Sequence, residues 1–127
     1  DEAYYQVTLE RLDDLFDEEL VLGLLKLDVE GHEINILKGA QRLLSRGAIR
    51  DIIFEDVGDY PTPTMLLLEN FGYSLFSLAK YFRGPRLCSA DRSGVSPRDD
   101  PNYLATLDPS RAMQRMNRKG WFVLKGG

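Results

Sequence analysis

The sequence predicts an α/β fold, a mostly parallel sheet with helices flanking it. Short apolar runs alternate along the chain with segments whose apolar residues recur every three or four positions. Glycine or proline marks most of the changes between the two patterns. The 127 residues suffice for a single domain with a core of its own.

Residues 8–16 read as a short helix, with Thr8 as its cap and Leu9, Leu12, Leu15 and Phe16 on one face. Residues 21–28 are nearly all apolar, as expected of a strand buried on both faces of a parallel sheet. A helix is expected from Glu33 to Arg46, with Ile34, Leu37, Ala40, Leu43 and Leu44 as its apolar stripe. Gly47 stands where a helix end favours positive φ, and Gly39-Ala40 would let this helix approach the sheet closely. Residues 51–56 form the next strand. Thr62 caps a helix opened by Pro63 and stopped by Gly72, and 73–78 form a third strand. Residues 83–101, broken by Gly84, Pro85, Gly94, Pro97 and Pro101, read as a long loop. Residues 103–107 suggest a further strand. Asp108-Pro109 then starts a helix reaching Lys119, and Trp121 to Leu124 would close the sheet, with Trp121 packing on the core.

Composition removes several classes of function. The longest apolar run, Leu20 to Leu27, is interrupted by Lys26 and falls well short of the ~20 residues that span a bilayer. Asp1-Glu2-Ala3 lacks the basic and apolar run of a secretory leader, so none is expected. The single cysteine, Cys88, excludes an internal disulfide and a cysteine-based metal cage, and a reducing, cytoplasmic setting is the expectation. The net charge is −4, unevenly spread. Residues 1–79 hold 16 Asp/Glu against 6 Lys/Arg, and residues 80–127 hold 4 against 10. The simplest reading is that the two halves pack together. Scattered arginines and an acidic total argue against nucleic acid, and no membrane partner is expected.

The chemistry concentrates in Lys26-Leu27-Asp28-Val29-Glu30-Gly31-His32-Glu33, where the first apolar strand ends and a helix begins. Ligands of open α/β sheets bind at the carboxyl ends of strands. Asp28, Glu30, His32 and Glu33 meet there, and His32 is the chain's only histidine. Carboxylates beside an imidazole can do general acid/base work or hold a divalent cation. Alternatively, Glu30 and Glu33 serve the helix N-terminus and Gly31 makes the turn. The zinc-protease and calcium-loop patterns both fail, for want of a second histidine and a correctly spaced glycine. Glu55, at the end of the next strand, is a second acid expected at the same edge. Tyr60 in the following loop can stack on a ligand. Arg83 and Arg86 can hold an anionic group.

Thr8-Leu9-Glu10-Arg11-Leu12, the run Leu25 to Glu33, and Ile36-Leu37-Lys38-Gly39-Ala40 together resemble the FkbM-type methyltransferase family. Ile52-Ile53-Phe54-Glu55, Phe71-Gly72-Tyr73 and Asn102-Tyr103-Leu104-Ala105-Thr106 continue the resemblance. It implies a Rossmann-like sheet and S-adenosylmethionine as cofactor. The implied reaction is methyl transfer, often to a hydroxyl of a sugar or secondary metabolite, so the partner is a small-molecule methyl acceptor. Asp28, Glu30 and His32 match the family motif where donor and acceptor meet, which implies catalytic roles for all three and a cofactor contact for Asp28. Glu55 is implied as a supporting acid, with Tyr60 and Arg83 as further substrate contacts.

The family's glycine-rich loop, and the acid that holds the ribose, are not found in these residues. Residues 1–127 therefore resemble the second half of the methyltransferase sheet, a single partial domain. Such a half would expose a sheet edge to a missing N-terminal half or to a second copy. Two alternatives follow: a non-catalytic α/β remnant that binds a partner chain, and a divalent-metal domain built on Asp28, Glu30 and His32.

Overall fold

The structure of the chain, a computed structural model, describes residues 4–82 and 84–117. Ten elements follow in order: α1 (Leu12–Leu15), β1 (Leu22–Lys26), α2 (Glu33–Lys38), α3 (Gln41–Ser45), β2 (Ile49–Glu55), α4 (Pro63–Asn70), β3 (Ser74–Tyr81), β4 (Gly84–Ser89), β5 (Asn102–Thr106) and α5 (Pro109–Met116). The five strands form one sheet in the order β1-β2-β5-β3-β4. The fold is α/β.

The sheet is not mostly parallel. Among the described strands only β1 and β2 pair in parallel, while β2–β5, β5–β3 and β3–β4 are antiparallel. The cause is the order of the chain after β3. It turns straight back as a hairpin, β3 to β4, and β5 then enters between β2 and β3 running against both. β1, β2 and β3 still share one direction, so β1 and β2 end at the same edge of the sheet.

The expected loop over 83–101 is also corrected, because its first part is the strand β4. Pro85 is tolerated there because, among the described strands, β4 pairs with β3 alone, and an edge strand can place a residue without an N–H on its free side. The remaining stretch is held by Arg92, whose guanidinium donates to the carbonyls of Asp99 (2.7 Å), Asp100 (3.2 Å) and Ser96 (3.4 Å).

The long helix expected over 33–46 is two helices. The break falls at Gly39-Ala40, where the chain around α1 crosses. Asp13 donates its backbone N–H to the Gly39 carbonyl, and its carboxylate accepts from the N–H groups of Arg42 (2.9 Å) and Leu43 (3.1 Å). A buried carboxylate from another element thus satisfies the orphan donors that begin α3. Gly39 approaches Arg11, not the sheet. The helix expected over 8–16 shrinks to the single turn of α1, and Thr8 and Leu9 lie exposed outside it. Among the described strands β1 lies at the edge of the sheet, and it is not doubly buried. Leu24 is half exposed because β1 pairs only with β2 and nothing described covers that part of it.

Other local readings hold. Thr62 caps α4 by accepting from the Met65 N–H, with Pro63 at the first helical position. Asp108 caps α5 in the same way through Arg111. Gly47 (φ 66°) and Gly72 (φ 86°) close α3 and α4 in the left-handed region, which glycine enters without a Cβ clash. The core joins Leu37, Leu43 and Leu44 to Ile52 and Phe54 of β2 and to Met65 and Leu68 of α4. Phe54 and Tyr103 stack across β2 and β5 at 5.5 Å. The expected strand at 121–124, with Trp121, and the end of the last helix lie outside the described residues. No described helix is long and apolar enough to cross a membrane.

Candidate functional site

The shared direction of β1 and β2 brings two turns together at one sheet edge. Leu27 continues the ladder by donating to the Ile53 carbonyl at 2.8 Å, and the chain then leaves the sheet. The turn is made by two consecutive residues in the left-handed region, Glu30 (φ 50°) and Gly31 (φ 94°). Glycine adopts that backbone freely, but glutamate pays a steric cost of ~1 kcal/mol or more. Among the described residues only Glu30 and Arg92 are non-glycines with positive φ. Strain of this kind collects at ligand sites.

Between the two turns lies a cavity of about 370 Å³. Glu30, Gly31 and Glu33 line it from the β1–α2 turn, Glu55, Asp56 and Val57 from the end of β2, and Thr64 from the first turn of α4. Glu33 is buried, and one of its oxygens accepts from the Val29 N–H at 3.4 Å. Asp56 organises the β2–α4 loop, accepting from Gly58 N–H at 3.1 Å and from the Thr62 hydroxyl at 2.6 Å. No lysine, arginine or histidine lines the cavity among the described residues.

Of the expected site residues, Glu30 and Glu55 lie on this cavity. Asp28 is exposed and ion-paired with Lys26 at 3.1 Å. His32 is exposed at the N-cap of α2, where its side chain makes no capping bond. Neither lines the cavity. Tyr60 is elsewhere too. Its hydroxyl donates to Glu69 at 2.9 Å, and it borders a second cavity of about 360 Å³ with Leu75, Phe76, Leu87 and Met113. The Glu69 hydrogen bond, then its charge, raise the Tyr60 pKa above the ordinary phenol value. Arg83 lies outside the described residues. Arg86 covers the Tyr81 ring at 4.8 Å. Glu33, which the sequence placed at this edge without a site role, lies on the cavity too, and Asp56 and Thr64 are additions. Glu33 and Asp56 had a sequence signal, as acids beside the two strand ends. Thr64 had none, because its place depends on how α4 packs.

The opposite end of β2 carries a different polar group. Asp51 is buried and accepts from the Thr106 hydroxyl (2.7 Å), Arg111 Nη1 (2.9 Å) and Arg50 Nε (3.0 Å). Burial pushes its pKa up, but the Thr106 and Arg50 hydrogen bonds and the Arg111 and Arg50 charges outweigh this, and the carboxyl sits below its ordinary value. Tyr73 beside it donates to the Ile49 carbonyl, and burial, then the Asp51 charge, push its pKa up to about 12.

A strand-end cavity behind the Asp-Val-Glu-Gly turn is the setting in which the resemblance matters. The description Methyltransferase FkbM domain matches residues 1–75. The chain belongs to the FkbM methyltransferase domain family. The match covers α1 through the start of β3, and so both turns that line the cavity. Comparison with curated proteins and with solved structures finds no match.

The family implies S-adenosylmethionine. The carboxylates of the cavity suit the sulfonium and ammonium groups of that molecule, whereas no described lining residue is a cationic partner for its carboxylate and no glycine-rich loop is found in the sequence for its adenosine end. The fit is to one end of the donor. A divalent-metal centre has less support: among the described residues no group of three or more His, Cys, Asp or Glu is arranged to hold a metal ion.

Proposed function

We propose that the chain is the acceptor-side half of a Rossmann-like, S-adenosylmethionine-dependent methyltransferase, transferring methyl groups to a hydroxyl of a sugar or secondary metabolite. The carrying observation is the acid-lined cavity at the adjoining carboxyl ends of β1 and β2, within the region that matches the family. S-adenosylmethionine supplies the electrophilic methyl group. The protein's part is to bind and orient the acceptor and to take its proton. Glu30 and Glu55, from the two strand ends, are the candidate bases, and Glu33 and Thr64 are the candidate orienting groups. Asp28 and His32 are exposed and do not line the cavity.

Titration calorimetry of the 127-residue chain with S-adenosylmethionine tests this reading, with Glu30→Gln as control. Binding that weakens in the variant supports it. No heat from a folded chain overturns it. A second reading rests on the free edge of β1, where Leu24 and Val21 are exposed: the chain pairs there with another polypeptide. That reading requires an oligomer in light scattering and loss of the oligomer on Leu24→Lys.

A further inference from the structure

The methyltransferase reading leaves the acceptor's chemical class open. Two independent observations at the cavity narrow it, and the inference rests on that reading.

The first is the character of the wall. Glu30, Glu33, Glu55 and Asp56 line the cavity, with no cationic side chain among the described lining residues. An ionised carboxylate only accepts hydrogen bonds. The field of such a wall attracts cations and repels phosphate or carboxylate groups. The donor brings a sulfonium and an ammonium against one carboxylate, so its net positive charge suits the wall without using up an accepting capacity spread over two turns and four side chains.

The second observation is Thr64. It is only 6% exposed, yet its hydroxyl has no hydrogen-bond partner among the described residues. Among the described residues no fully buried polar side-chain atom lacks a partner, so this hydroxyl keeps some accessible surface, and Thr64 lines the cavity. A group that enters the cavity can supply the missing partner. Glu33, only 4% exposed, offers a similar opening, since its one hydrogen bond is a long contact to Val29 through Oε1.

We propose that the acceptor is a hydroxyl-rich molecule bearing a protonated amine and no anionic group, an amino-polyol in chemical class. Its ammonium and hydroxyl protons face the carboxylates, and one of its hydroxyls pairs with Thr64. A phosphorylated or acidic acceptor of the same size is refused, because it brings a like charge into a wall with nothing to neutralise it.

The test is an amide NMR titration of the 127-residue chain with three sugars of one ring size: glucosamine, glucose and glucuronate. The expected order is glucosamine tightest, glucose weaker, and glucuronate at least tenfold weaker than glucosamine, with shifts at Glu33 and Thr64. Thr64→Val keeps the side-chain shape and removes the hydroxyl. It should weaken glucosamine about tenfold, as should Glu33→Gln. Glucuronate equal to or tighter than glucosamine overturns the proposal. So does binding unaffected by Thr64→Val, or no binding of any of the three. Donor binding is read separately. A chain that binds S-adenosylmethionine but favours glucuronate keeps the methyltransferase reading and loses this one. A chain that ranks the sugars as expected but ignores the donor does the reverse.

Discussion

The two ends of β2 solve the same problem in opposite ways. Each holds a buried threonine and acidic side chains. At the amino end, Thr106 donates to Asp51, and Asp51 receives two arginines as well, so every polar group has its partner inside the protein. At the carboxyl end, Thr64 has no partner among the described residues, Glu33 has one long contact, and Glu30 is held in a left-handed turn. A fully paired polar cluster ties β2, β5 and α5 together and asks nothing of a ligand. An underpaired, strained one fits the ligand site proposed above. The contrast separates structural carboxylates from candidate functional ones in a chain that has 20 acidic residues.

The largest expected effect lies at the amino end. Asp51→Ala strands Arg111 and Thr106 and should cost about 3 kcal/mol in urea unfolding. It should leave ligand binding by the folded fraction unchanged. Its titration has a definite sign. Because the folded Asp51 pKa lies below the ordinary 3.8, its contribution is complete above the unfolded value and is lost as pH falls through the folded one. Acid unfolding below about pH 4 should therefore flatten in Asp51→Asn, as followed by circular dichroism.

Paired threonine variants sharpen the comparison. Thr106→Val should cost about 1–2 kcal/mol, since it leaves a buried Asp51 oxygen short of a donor. Thr64→Val should cost less than about 0.5 kcal/mol, since it removes a hydroxyl that nothing in the fold uses. Equal costs would break the distinction between the two ends. Glu30→Gly should raise stability by up to about 1 kcal/mol by relieving the left-handed residue, while weakening S-adenosylmethionine binding several-fold. Asp28→Asn is the smallest. An exposed ion pair contributes about 0–1 kcal/mol, and calorimetry should find donor binding changed less than twofold.

That last expectation departs from the motif, and the reason is physical. Lys26 and Asp28 are two residues apart at the end of an edge strand, which puts both on one exposed side where they pair with each other. Local signals were legible throughout. Thr62-Pro63, Asp108-Pro109, Gly47 and Gly72 act within four residues of themselves, and each terminates or opens its helix as read. What was not legible depends on distant partners. Asp13 caps a helix 29 residues away, and no periodicity in residues 33–46 announces that break. β4 exists because it pairs with β3, and its Gly-Pro opening reads as a turn until that partner is known. The position of the candidate site, a cavity at the strand ends, was legible from the rule of strand ends. Its membership was not, since Thr64 and Asp56 join Glu30 only when β2 lies beside β1 and α4 packs behind.

The most direct test of the central claim is an amide NMR map of the chain titrated with S-adenosylmethionine. The expected result is shifts at Glu30, Gly31, Glu33, Val57 and Thr64, with Asp51, Thr106 and Arg111 silent. Shifts confined to the amino end of β2, or to the second cavity around Tyr60, would contradict the assignment of the two ends.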